Sequence, residues 1–148
     1  MFGRAQGINF GGIPKLLAPE ISLGGNFSYD INGQFYSTTT IYGYIKNKSC
    51  QISYETLLAI MNSSLCWWFL KNTGTVLANG YFRYKPTYLK PFPLPIISQK
   101  KDKEIKDLVK KLQQEDDIMV RKHFENDINQ KIYDLYNLTT KDINIVLS

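Results

Sequence analysis

Four prolines, Pro86, Pro91, Pro93 and Pro95, stand close together in a 148-residue chain, and no other feature restricts its fold more. Each ring fixes φ and removes a backbone donor, so this stretch reads as short extended pieces from which helix is excluded. The chain differs on either side of it. Upstream, β-branched and aromatic residues alternate with polar ones, and from Ser98 onward Lys, Asp, Glu and Gln surround a regular apolar stripe. The expected class is therefore α+β: a small mixed or antiparallel sheet with a buried helix, followed by a helical C-terminal tail. Residues 1–97 form the first unit and residues 98–148 the tail, which packs on it.

Within the first unit, "KLLAPEI" (Lys15 to Ile21) reads as a strand at a sheet edge, or one interrupted near its end, because it holds Pro19. "NFSYDINGQFYSTTTIYGYIK" reads as a hairpin turning at Asn32-Gly33, with β-branched and aromatic residues returning through Ile45. Ser53 can cap one helix with apolar positions at Tyr54, Leu57, Leu58, Met61, Leu65, Trp68 and Phe69 and a stop at Gly74. Ile60, Ser64 and Trp67 lie on its other face, which makes it largely buried and places Trp67 and Trp68 in the core. In the tail, Ile105, Leu108, Val109 and Leu112 mark one amphipathic helix, and Phe124, Ile128, Ile132, Tyr133 and Leu135 mark a second. "TTKD", Thr139 to Asp142, is a capping box opening a short last helix.

The net charge of +5 is unevenly placed. Residues 1–95 carry eight Lys or Arg against three acids, residues 96–148 carry ten of each, and Thr56 through Lys101 contain no Asp or Glu. A one-sided basic surface of this kind favours a polyanion, by steering and by counterion release. Two cysteines, Cys50 and Cys66, read as reduced thiols of an intracellular protein, although spacing alone leaves a pairing between them open. The start lacks the order of a signal peptide, and the longest apolar stretch is broken by Asn62, Ser63 and Ser64. The expectation is a soluble, cytoplasmic protein with no membrane segment.

No catalytic or metal-binding residue is expected. The one histidine, His123, lies in a polar helical context with no group to orient it. "DKEIK", Asp102 to Lys106, holds two acids and a lysine but sits on a helix, where they do not converge on a metal. "GGIPK" and "GINFGG" lack the strand, loop and helix setting of a phosphate cradle.

The chemistry that remains is recognition. Tyr81, Arg83, Tyr84, Lys85, Tyr88 and Lys90 combine cations that reach phosphates or guanine edges with phenols that bond phosphate or stack on bases. Arg4 and Gln6, two apart between glycines, project from one side of an extended chain, and Lys46 and Lys48 add backbone contacts. A structural reading stands beside this one: Tyr81, Phe82 and Tyr84 also suit the two faces of a half-buried strand. "PFPLP" reads as an ordered crossing into the tail, or as a ligand for a proline-binding groove.

Phe2-Gly-Arg-x-Gln6, Leu57-x-x-x-x-Asn62-Ser63, Pro93-x-Pro95 and Leu135-Tyr136 before Leu138-Thr139 together resemble the C-terminal target recognition region of TaqI-like adenine-specific DNA methyltransferases. The same pattern occurs in type II restriction-modification enzymes that fuse methyltransferase and endonuclease. The resemblance runs over nearly the whole chain. It implies sequence-specific reading of double-stranded DNA, for which the candidate contacts are Arg4, Gln6, Lys46, Lys48, Tyr81, Arg83, Tyr84, Lys85, Tyr88 and Lys90. It also implies an N-terminal methyltransferase domain as partner, holding S-adenosylmethionine and an Asn-Pro-Pro-Tyr-like motif. Neither motif occurs here, so the resemblance implies one end of a longer protein and no cofactor in this chain. The rival reading is a helix-mediated interaction or dimerisation module, built on the stripe Ile105, Leu108 and Leu112.

Overall fold

A computed structural model describes residues 10–36 and 40–148. Lys15–Pro19 forms β1, Ile21–Ser22 β2, Ser28–Asp30 β3 and Ile41–Tyr44 β4. They are followed by helices α1 (Tyr54–Asn62) and α2 (Ser64–Thr73), strand β5 (Phe82–Arg83), a short α3 (Pro86–Leu89), and the tail helices α4 (Gln99–Gln114), α5 (Ile118–Leu135) and α6 (Thr140–Leu147). The α+β class is as expected, and every strand pairing is antiparallel.

The strand order corrects the hairpin expectation. β3 and β4 do not pair with each other; β1 lies between them, in the order β3-β1-β4. Asn32-Gly33 does turn the chain, with Gly33 at a φ of 66°, but the turn does not fold β3 back onto its own continuation. Instead the Gly33 carbonyl accepts the Gly12 N–H at 2.9 Å, and a Cβ on Gly33 would stand 2.3 Å from the Ile13 nitrogen. Only glycine fits both that conformation and that approach. β1 is thus the central strand rather than an edge, and Pro19 ends it opposite Ile41, where a missing N–H costs the ladder least.

The expected single helix is two. At Ser63 the backbone turns extended, with φ −67° and ψ 154°. The Ser63 hydroxyl accepts the Cys66 N–H at 3.2 Å, capping α2, and donates to the Ile60 carbonyl at 2.6 Å, closing α1. Asn62 fixes the break: its side-chain amide accepts the Phe27 N–H at 2.8 Å and donates to the Phe27 carbonyl at 2.9 Å, pairing with the backbone just before β3. The Asn-Ser pair of the sequence motif is therefore a structural joint between helix and sheet.

A second correction concerns Pro86, expected to exclude helix. It occupies the first turn of α3, where a helix has no use for the missing N–H and where φ is already suitable. The later prolines cross to the tail, and that crossing is pinned: the Tyr136 hydroxyl donates to the Pro93 carbonyl at 2.8 Å, and Phe92 packs on Phe69 and Tyr136.

The tail packs on α1 and α2. The Asp102 carboxylate accepts both the N–H and the hydroxyl of Ser53 at 3.0 Å, so the first turn of α4 is joined to the first turn of α1. Ile105 and Val109 are buried, as are Ile128 and Ile132 of α5. α6 opens with the expected capping box between Thr139 and Asp142. Among the described residues no helix is long and apolar enough to cross a membrane.

Candidate nucleic-acid interface

A short hairpin carries the first candidate residues. After α2, Val76 bridges to Phe82, the Leu77 N–H reaches the Tyr81 carbonyl at 2.7 Å, and the Arg83 N–H reaches the Thr75 carbonyl at 3.2 Å. Asn79 and Gly80, at φ 62° and 76°, turn it, as Asn-Gly does in many hairpins. Strand alternation then divides the segment into two faces. Tyr81 is exposed and Arg83 half-exposed, whereas Phe82 and Tyr84 point inward.

Tyr84 is therefore corrected from contact to core. It is 1% exposed, its hydroxyl donates to the Gly24 carbonyl at 2.6 Å, and its ring lies against Trp67 and Phe27. Burial pushes its phenol well above the usual tyrosine range. Trp67 also packs edge-on against Phe82; like Trp68 it is half-buried and lies against the core rather than within it.

Arg83 has a partner that the sequence did not suggest. Its Nε lies 3.4 Å from the Glu20 carboxylate, an ion pair whose geometry falls short of a hydrogen bond. Glu20 arrives because it links β1 to β2, and β2 pairs with β5. The acid-free run from Thr56 to Lys101 is thus not acid-free in space.

Lys85 is half-buried at the start of α3, where its carbonyl accepts the Tyr88 N–H at 2.9 Å. The Tyr88 hydroxyl meets Thr75 Oγ1 at 2.6 Å, fastening α3 to the hairpin. Lys90, exposed at the end of α3, shares with Lys46 the rim of a cleft of about 490 Å³. Leu16, Phe27 and Tyr44 of the sheet side, Tyr54, Leu57 and Met61 of α1, and Leu89 and Phe92 line it. Lys46 is also a brace: its Nζ donates to the Ile52 carbonyl at 2.8 Å and stands 5.1 Å over the Tyr54 ring. Lys48 is exposed in the loop after β4.

The candidates therefore fall in two places. Lys46 and Lys48 leave the sheet beside the start of β1, since Tyr44 faces Leu16, whereas Arg83 stands by Glu20, just past its end. At about 3.3 Å per residue the two ends of β1 lie on the order of 15 Å apart. Arg4 and Gln6 lie outside the described residues.

No group of three or more His, Cys, Asp or Glu that could hold a metal ion assembles among the described residues. Asp102 holds Ser53, the cap of α1, Glu104 pairs with Lys131 at 3.1 Å and Lys106 with Glu55 at 3.7 Å, so "DKEIK" is occupied with packing. His123 is solvated and 3.5 Å from Asp127 one turn on. Both cysteines are free; Cys66 is buried, which pushes its thiol up to about 12.

These features define a class: a small α+β module with exposed cations and tyrosine around its sheet and α3. Residues 3–94 match the TaqI-like C-terminal specificity domain, and the chain belongs to that family. The matched span ends just before the tail helices, and comparison with curated proteins returns no match. Membership gives the chain a DNA-recognition role in restriction-modification systems.

Proposed function

We infer that this chain reads a specific double-stranded DNA sequence for a site-specific adenine DNA methyltransferase of the type II restriction-modification class. The single observation that carries this reading is the family match over residues 3–94. The surface supports it, because Tyr81, Arg83, Lys85, Lys90, Lys46 and Lys48 leave charge or phenol at or near solvent. Methyl transfer, with S-adenosylmethionine as donor, then belongs to a methyltransferase domain acting with this chain, and any accompanying cleavage to an endonuclease fused to it. Phosphate contacts would position the module and base contacts would specify the site.

Fluorescence anisotropy of a labelled duplex at rising salt tests the reading. Binding should weaken steeply as salt rises; affinity indifferent to salt would sink it. The dimerisation alternative loses support because Ile105 of its stripe is buried within the chain, and Leu108 and Leu112 are half-buried, packed against the same core. Light scattering should accordingly give a monomer.

A further inference from the structure

The start of β1 carries a loop with no role in the reading so far. Ile31–Tyr36 follows β3, and every residue in it except Gly33 is exposed. Phe35 is 62% exposed, and Ile31 and Tyr36 nearly as much. Asn32 and Gln34 present side-chain amides that make no hydrogen bond among the described residues.

The backbone beneath these side chains is firmly held. The Asp30 carboxylate accepts the N–H groups of Gln34 and Phe35, each at 2.9 Å. It also pairs at 3.0 Å with Lys15, and both side chains are almost wholly buried. Lys15 donates in turn to the carbonyls of Phe10 and Ile13 at 3.3 Å, and Gly12 bonds Gly33. An ion pair this buried contributes little net stability but fixes geometry, and here the geometry it fixes is that of the loop.

The sheet register gives the loop its neighbours. Lys15 faces Asp30 and Leu16 faces Tyr44, so the loop after β3 and the loop bearing Lys46 and Lys48 leave the sheet at the same end. Amides, aromatics and cations thus meet on a rigid edge. A side-chain amide offers a donor beside an acceptor, the pattern that adenine N6 and N7 present in the major groove, and an apolar ring suits the thymine methyl.

We propose that Asn32, Gln34 and Phe35 form a base-reading element for A·T pairs, held in place by Lys15 and Asp30 and guided to the phosphates by Lys46 and Lys48. The proposal rests on the DNA-reading function inferred above. Loop rigidity matters because an ordered reader loses less entropy on binding.

Selection from a randomised duplex library, with the full chain and with a variant carrying Asn32→Ala and Gln34→Ala, tests it. The wild-type chain should enrich a site with fixed A·T pairs. The double variant should lose the preference at one or two of those pairs and bind the enriched duplex more weakly, by about 5- to 150-fold for each pair lost, the range expected for a lost two-point contact. Its affinity for an unselected duplex of equal length should not change. A variant that enriches the same site with the same affinity overturns the proposal, as does a wild-type site without A·T pairs. If the wild-type chain enriches nothing and binds independently of salt, the DNA-reading function itself fails. Both amides are exposed, and circular dichroism of the variant confirms that the fold is kept.

Discussion

Replacing Lys48 and Lys90 together by alanine tests most directly whether the basic surface meets phosphate. Both are exposed, so the fold should be indifferent to the change. Four candidate cations, Lys46, Lys48, Lys85 and Lys90, have no carboxylate partner among the described residues, whereas Arg83 has Glu20 at 3.4 Å. If those four each displace a counterion, log affinity should fall against log salt with a slope of about −3.6, or roughly 150-fold between 50 and 200 mM. The double variant keeps two of them, so its slope should be about −1.8 and the loss over the same range roughly 12-fold. Glu20→Gln acts in the opposite sense. Freeing Arg83 should steepen the slope to about −4.5 and tighten binding at low salt. Anisotropy titrations of one labelled duplex at several salt concentrations read all three slopes. A double variant with the wild-type slope would refute the assignment of Lys48 and Lys90, and a Glu20→Gln slope no steeper than wild type would refute the neutralisation of Arg83.

Further outcomes follow from the interior. Tyr84→Phe leaves the Gly24 carbonyl with the Ser22 hydroxyl as its remaining donor and should cost about 1 kcal/mol in chemical denaturation, while the DNA affinity of the folded chain stays unchanged; weakened binding would return Tyr84 to the interface. Asn62→Ala removes both bonds to Phe27 and should destabilise by about 2 kcal/mol, a value near zero meaning that the joint is not needed. The Tyr44 hydroxyl is buried with no hydrogen-bond partner among the described residues, so Tyr44→Phe should raise stability by about 1 kcal/mol, and a lower melting temperature would contradict that. Burial opposes ionisation of Asp30, but the N–H groups of Phe35 and Gln34 and the Lys15 ammonium outweigh it and hold the carboxyl below its ordinary 3.8. Its contribution to the loop is thus complete above that value and lost as pH falls through the lowered one. Protection of the Gln34 and Phe35 amides, measured against their intrinsic exchange rates, should fall only on strong acidification, and a fall beginning near neutrality would exclude Asp30 as the clamp.

Local chemistry was legible and long-range partnership was not. The caps at Ser53 and Thr139, the stripes of α4 and α5 and the alternation through Tyr81 to Tyr84 depend on spacings within a turn or two, so the residues announce them. Alternation says that Tyr81 and Tyr84 face opposite ways, but which one is buried depends on Gly24 and Trp67, far away in the chain. The break at Ser63 was visible as a polar interruption, yet its cause is the bond from Asn62 to Phe27, 35 residues earlier. β1 could not be recognised as central, because a strand's place in a sheet is decided by what pairs on both sides of it. Pro86 was misread by applying a rule for helix interiors to a position at a helix start.

Charge shows the same division most sharply. The acid-free run from Thr56 to Lys101 is a property of the chain, whereas a phosphate responds to the field in space. Strand β2 brings Glu20 to Arg83 from 63 residues away, and the ladder that does so is the one that points Arg83 outward. The two effects are inseparable, because the pairing that presents the guanidinium also supplies its counter-charge at Nε. Glu20 then orients Arg83 at the expense of net charge, which suits a base contact better than a phosphate contact. On that reasoning Glu20→Gln should gain non-specific affinity while losing discrimination between duplexes, a pattern that simple removal of a repelling acid would not produce.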